Sequence, residues 1–234
     1  MNIRMPRFFV PLLAGGTFAD RLVACIGAAL CIALTVLIIA APFDDPNLLL
    51  LVAAPIGASA VLVFAVPASP LAQPWPVIGG NVISALVGVT VAQLVPIPAL
   101  AAGLAVGGAI LAMSLTRSLH PPGGAAALSA VLGGPAMLAA GYTYPFLPVA
   151  LNAVILTALA IAFHRFSGHS YPHRPVPVAG HLLPPPILPL HPEDIDQALA
   201  DLGETFDVAR EDLDLLFSRV EHHAALRALS PPPK

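Results

Sequence analysis

The sequence predicts an all-α membrane protein: a helical bundle of four full crossings plus two short segments broken by proline and glycine, followed by a helical hairpin tail. Three observations predict it. Apolar residues make up 57% of the chain and charged residues only 10%, where a soluble domain carries about 25% charge; the mean hydropathy is +0.85. From Pro46 to Thr116 there is not one Asp, Glu, Lys or Arg, a run long enough for three crossings at roughly 20 residues each. Two stretches then break the helical pattern in a related way. Pro55-Ile56-Gly57-Ala58-Ser59-Ala60-Val61-Leu62 and Pro121-Pro122-Gly123-Gly124-Ala125-Ala126-Ala127-Leu128 both read Pro-x-Gly-small-small-Ala-x-Leu.

Residues 1–21 read as a cytoplasmic or interfacial lead-in, with Arg4, Arg7 and Arg21 on the inner side. A signal peptide is not expected, because the apolar patch from Phe8 to Ala14 is short and holds Pro11. Leu22 to Pro42 is a full crossing, and Asp44-Asp45-Pro46-Asn47 turns the chain outside. Leu48 to Val66 is split at Pro55 and Gly57, which predicts a short helix over Pro55–Phe64 with proline in its first turn. Val77 to Val95 is a crossing in which Gly80, Ser84 and Gly88 line one face for close approach of another helix. Leu100 to Thr116 is the next crossing, with Gly103 and Gly107 expected to act likewise. A short helix from about Pro122 to Leu132 ends at Gly133-Gly134-Pro135, and Pro145 to Phe163 is the last crossing. The membrane domain is thus 22–165.

Residues 166–192 are a Pro- and His-rich linker whose prolines favour extended geometry. No His, Cys, Asp or Glu set has the spacing of a metal site, so neither metal nor other cofactor is expected. Cys25 and Cys31 read as two small residues on different helix faces. Residues 193–228 form an acidic cytoplasmic helical module. Its first helix opens on Glu193 and Asp194 and stops at Gly203; the second is capped by Asp207 and carries the stripe Leu213, Leu216, Phe217, Val220 and Ala224. Residues 229–234 are a tail.

The two halves match in order: a long helix, a broken segment, then a crossing with an asparagine, Asn81 in one and Asn152 in the other. Three segments per half is an odd number, so a 3+3 inverted-topology repeat is expected. Broken helices near mid-membrane are the sequence sign of a transporter site. A helix starting there presents unpaired N–H groups and about half a positive charge, and glycine lets a ligand approach them. The candidate substrate-binding residues are therefore Pro55, Gly57, Ser59, Asn81, Arg117, His120, Pro121, Pro122, Gly123, Gly124 and Asn152. Gly57 and Gly123 are expected to face one cavity. Arg117 has two readings, anion ligand or interfacial anchor. His120 has two as well, a group that protonates with the substrate or a cap of the break. Asn81 and Asn152 either touch substrate or bond between helices. Ser59 either lines the path or bonds back to its own helix. No acid lies between Pro46 and Phe163, so selection for anions or small neutral solutes fits better than for Na⁺ or K⁺.

Leu119-His120-Pro121-Pro122-Gly123-Gly124-Ala125, with Pro55-Ile56-Gly57-Ala58-Ser59-Ala60, Ser69-Pro70-Leu71-Ala72-Gln73-Pro74 and Gly79-Gly80-Asn81 before Ser84-Ala85-Leu86-Val87-Gly88, resembles the HPP family of integral membrane proteins. The resemblance covers residues 8–166. Asp207-Val208-Ala209-Arg210-Glu211-Asp212-Leu213 is similar to the family's tail. Four crossings are implied, as is transport. Nitrite is implied as the first candidate, because plastid and cyanobacterial members are linked to it.

The expectation is a permease or channel for a small anion in the bacterial inner (plasma) membrane, multi-pass, with both termini cytoplasmic. Its partners would be the lipid bilayer, the anion and a second copy of the chain. The net charge of −3 argues against nucleic acid. The alternative is a membrane-anchored sensor or scaffold acting through the acidic module. An enzyme is not expected: no embedded carboxylate pair is present, and the serines have no base except His120.

Overall fold

A computed structural model describes residues 18–40, 55–174, 192–202 and 208–229. Regular structure among them is entirely helical. Four helices are long and apolar enough to cross a membrane: Phe18–Ala40, Pro76–Leu94, Pro98–Leu115 and Pro145–Ser167. These are α1, α3, α4 and α7. Between them lie two half-length helices, α2 (Pro55–Ala65) and α5 (Pro122–Leu132). Each has 11 residues, or about 16 Å of rise, half of a hydrocarbon layer about 30 Å thick. A short α6 (Pro135–Ala140) follows α5, and the stretch Pro135–Thr143 is bent by 96° from it. The tail holds α8 (Pro192–Leu202) and α9 (Arg210–Leu229).

Proline starts α2, α3, α4, α5, α6 and α7. At the first helical position its missing N–H is one that no helix could satisfy anyway, and its φ is already helical. The expected segment starts are therefore close to those observed. The ends move more: α1 begins at Phe18 rather than Leu22, and α7 runs on through His164 and Arg165 to Ser167. The expected outer turn at 44–47, the half-segment 48–54, the linker from 175 to 191, Gly203 and the Asp207 cap lie outside the described residues.

The helices pack as two groups. α3, α4 and α5 lie against one another, as do α1, α2 and α7. Glycine decides the first group's geometry. A Cβ on Gly88 would sit 2.4 Å from the Ala127 carbonyl oxygen and 2.9 Å from the Ala130 Cβ, so α3 and α5 touch backbone to backbone. Gly80 meets Ser118 and His120, and Gly123 meets Ser84, in the same register; α3 and α5 therefore run parallel. The expected role of Gly103 and Gly107 is not borne out, since a Cβ at either would meet nothing within 4 Å. Helix α4 packs instead through Ala101, Ala105, Ala109 and Met113, whose alanines are already small enough.

In the second group Phe64 of α2 stacks edge-on against Phe163 of α7, with centroids 5.5 Å apart. Both rings crowd Gly27 of α1. His164 Nε2 lies 3.0 Å from the Val63 carbonyl, so the last turns of α2 and α7 meet. The first turns of α3 and α7, Pro76–Gly80 and Pro145–Ala150, are both π-helical.

The start of α1, the end of α2, the end of α7 and the start of the tail meet at one face. There they line a cavity of about 430 Å³ that includes Arg21, Phe64, Pro67, His169 and Asp212. The tail is held at this face. The Tyr171 hydroxyl donates to the Ala72 carbonyl at 2.8 Å, and the His173 N–H donates to Gln73 Oε1 at 2.8 Å. His173 Nε2 lies 3.0 Å from the Asp212 carboxylate of α9.

Candidate functional site

The two proline-led helices meet through side chains. Ser59, one turn into α2, lies with its Oγ 2.8 Å from Nε2 of His120, which precedes α5. The other ring nitrogen, Nδ1, is 2.8 Å from the Leu71 carbonyl oxygen. A carbonyl only accepts, so Nδ1 carries the proton and donates. In the neutral ring Nε2 then accepts from the Ser59 hydroxyl. Asn81 Nδ2 donates in turn to Ser59 Oγ at 3.1 Å and to the Val77 carbonyl at 2.8 Å, which fixes the amide's orientation. A single oriented chain thus runs from α3 through α2 and the HPP stretch to the turn at 70–72. Ser59 and His120 are fully buried, and Asn81 is 2% exposed. No charged group bonds to any of the three.

Local sequence explains the arrangement. Helix α4 ends at Leu115, and Arg117 turns the chain with φ of +52°. Its N–H bonds back to the Ser114 carbonyl, and Ser118 N–H to that of Met113. Two prolines then hold residues 121 and 122 and start α5. Gly80 lets this loop lie on α3: a Cβ there would fall 2.4 Å from the Ser118 carbonyl oxygen and 2.7 Å from the His120 Cβ. Trp75 covers the exposed side of this loop by donating its indole N–H to the Thr116 carbonyl at 3.1 Å.

The structure brings Ser59, Asn81 and His120 together, with Pro55 and Pro122 buried nearby at the helix starts. It sets other expected residues apart. Gly57 is exposed and open, while Gly123 is closed against Ser84, the Gly80 carbonyl and Met113. The two glycines therefore do not face one cavity, because Gly123 is spent on helix contact. Gly123 N–H already donates to the His120 carbonyl at 2.8 Å, and Gly124 N–H to that of Pro121 at 3.0 Å. These groups are not free for an anion. Arg117 and Pro121 are exposed. Asn152 is buried in α7 and donates Nδ2–H to the Pro148 carbonyl, as Asn81 does to Val77 one π-helical turn into α3.

Sequence reasoning missed three parts of the site. The Leu71 carbonyl is backbone and carries no residue signal. Gly80 and Ser84 were legible only as packing residues. Ser84 Oγ and Asn81 Oδ1 are buried and have no hydrogen-bond partner among the described residues. The Ser59–His120 pair has the spacing of a nucleophile and its base, but both side chains are sealed at 0% exposure, and no carboxylate orients the ring.

Four apolar spans around two half-length helices, stitched by buried neutral groups, define a helical integral membrane protein. The chain belongs to the HPP family: that family's signature, described as the HPP transmembrane region, matches residues 14–172. Two transmembrane proteins of Dictyostelium discoideum are similar to it. One is 42% identical over 120 residues, covering 49% of this chain and 42% of that protein. The other is 41% identical over 114 residues, covering 47% of this chain and 36% of that protein. The chain thus matches less than half the length of either relative. No solved structure matches it.

Proposed function

We propose that the chain is a permease or channel through which a small anion-forming solute crosses the membrane, nitrite being the first candidate because of the family resemblance. The observation that carries this reading is the Ser59–His120 contact at 2.8 Å. It ties the two proline-led helices together at a buried polar point in an otherwise apolar bundle. Irregular backbone at membrane depth is tolerated where it is buried in protein or lines a water-filled cavity, and an ionisable side chain there, here His120, marks a functional site by default. No Asp or Glu lies between Pro46 and Phe163, which disfavours a cation path. Catalysis is not part of the proposal, since no carboxylate bonds to the His120 ring, whose two nitrogens face Ser59 and the Leu71 carbonyl.

The pairing of helices supports a 3+3 inverted repeat. If α1, α2 and α3 correspond to α4, α5 and α7, then α1 with α2 answers α4 with α5, and α2 with α7 answers α5 with α3. Asn81 and Asn152 fall at matching places after matching π-helical turns. In this reading both termini are cytoplasmic in a bacterial inner membrane, with Arg21, Arg165 and Arg174 on that side. A homo-oligomer is compatible with it.

The test is uptake by purified protein in liposomes against nitrite, nitrate, formate, bicarbonate and chloride. Protein-dependent uptake of nitrite is expected, and no uptake of any of the five would refute the reading. A second reading, a sensor or scaffold acting through the tail, is favoured by the His173–Asp212 contact alone. Deleting residues 193–234 separates the two: uptake that survives while a cellular function is lost would favour the second.

A further inference from the structure

An anion site needs donors or positive charge, and the buried cluster offers little of either. The first N–H groups of α5 are bonded to His120 and Pro121 carbonyls. Arg117 is exposed, outside the buried cluster, and only its backbone N–H is tied to α4, on the Ser114 carbonyl. Both nitrogens of His120 have partners, and one of them must donate to Leu71. Two polar atoms remain. Asn81 Oδ1 is an acceptor, because its amide nitrogen is fixed on Val77 and Ser59. Ser84 Oγ is a hydroxyl that can donate. Both are buried without a hydrogen-bond partner among the described residues, on side chains 2% and 0% exposed. They are three residues apart on α3, which makes them neighbours on one face. Around them stand Ser59, His120, Gly123 and Met113, none of them charged apart from the titratable ring of His120.

Nitrite and similar anions offer acceptors only. One could take the Ser84 proton, but would set its charge against Asn81 Oδ1. The conjugate acid has one O–H to give and an oxygen to receive, so it satisfies both atoms and brings no net charge into low dielectric. We propose that this site takes the undissociated form of a small weak oxoacid rather than its anion. This rests on the permease reading and names the species that moves. The proton travels with the solute and is released on the far side, so no separate coupling ion is needed.

The test uses the full chain in liposomes holding an internal pH dye, with empty liposomes subtracted. Nitrite and formate are the probes. Protein-dependent uptake should acidify the lumen. At fixed total solute its rate should fall about tenfold per pH unit on the alkaline side of the acid's own pKa. An imposed potential of about 100 mV should leave it unchanged, whereas an anion's accumulation would shift about fifty-fold. Ser84→Ala should lower the protein-dependent rate about tenfold, and a methyl for a hydroxyl keeps the packing that Gly123 needs. Uptake that follows the potential without acidifying the lumen overturns the inference and leaves the permease reading standing. Uptake of neither probe overturns both.

Discussion

Replacing Gly88 with alanine tests the α3–α5 contact on which the site is built. The new Cβ would lie 2.4 Å from the Ala127 carbonyl oxygen, 2.8 Å from the Ala127 Cα and 2.9 Å from the Ala130 Cβ. None of these is the far end of a flexible side chain. Ordinary contact begins at 3.4 Å, so the two helices must part by about 1 Å along that line. Overpacking of this kind costs about 1–3 kcal/mol. The upper end is expected here, because parting α3 from α5 also loosens Gly80 against His120 and Gly123 against Ser84. A loss of about 3 kcal/mol lowers the folded-to-unfolded ratio by more than a hundredfold. Gly107→Ala is the control. Its Cβ meets nothing within 4 Å, and alanine in a helix interior is worth up to about 1 kcal/mol over glycine. Cys31 is buried and Cys25 exposed, so reaction of Cys31 with a maleimide dye, in a Cys25→Ser background in detergent, reports unfolding. Equal midpoints for the two alanine variants, or a lower one for Gly107→Ala, would refute the reasoning.

His120→Ala leaves the Leu71 carbonyl without its side-chain donor and the Ser59 hydroxyl with only its 3.3 Å bond to the Pro55 carbonyl, and should cost about 1–3 kcal/mol in the same assay; His120→Gln, which offers one donor and one acceptor, should recover part of that. Arg117→Gly removes a left-handed non-glycine residue and should gain about 1 kcal/mol, while Arg117→Gln should leave uptake unchanged; a loss of uptake would return Arg117 to the substrate path. Burial raises the Tyr171 phenol above its ordinary value near 10, so the unfolded chain ionises first. The stability it contributes is whole below about pH 10 and falls as pH climbs above that value. Alkaline melting should accordingly be less steep in Tyr171→Phe. Asp212→Ala should free the start of α9 from His173 and raise proteolysis after residue 174 with the spans intact; unchanged cleavage would show that Tyr171 and Gln73 hold the tail unaided.

The spans were legible because hydrocarbon demands long apolar runs, and the breaks because proline and glycine interrupt them. Which groups then meet was not. The Ser59–His120 contact joins residues far apart in sequence, and nothing in either local stretch names the other. Glycine spacing marked faces that are able to approach, but alanine serves equally well, so Gly80 and Gly88 were placed correctly while Gly103 and Gly107 were not. Gly57 and Gly123 share a sequence pattern, yet Gly57 meets nothing within 4 Å while Gly123 is closed against α3. Arg117 in a left-handed turn gave no signal, because that conformation favours glycine or asparagine. The hold on the tail runs through the backbone at Ala72 and His173, which residue identity does not encode.

The membership of the two packing groups has a consequence for synthesis. The group formed by α3, α4 and α5 is complete once the ribosome has passed Leu132, and can assemble at once. The group begun by α1 and α2 cannot, because its third member is α7, made last. For most of translation the first span waits in lipid with α2 beside it, Gly27 facing Phe64 but not yet Phe163. An insertion chaperone would find its client there, at the oldest part of the nascent chain.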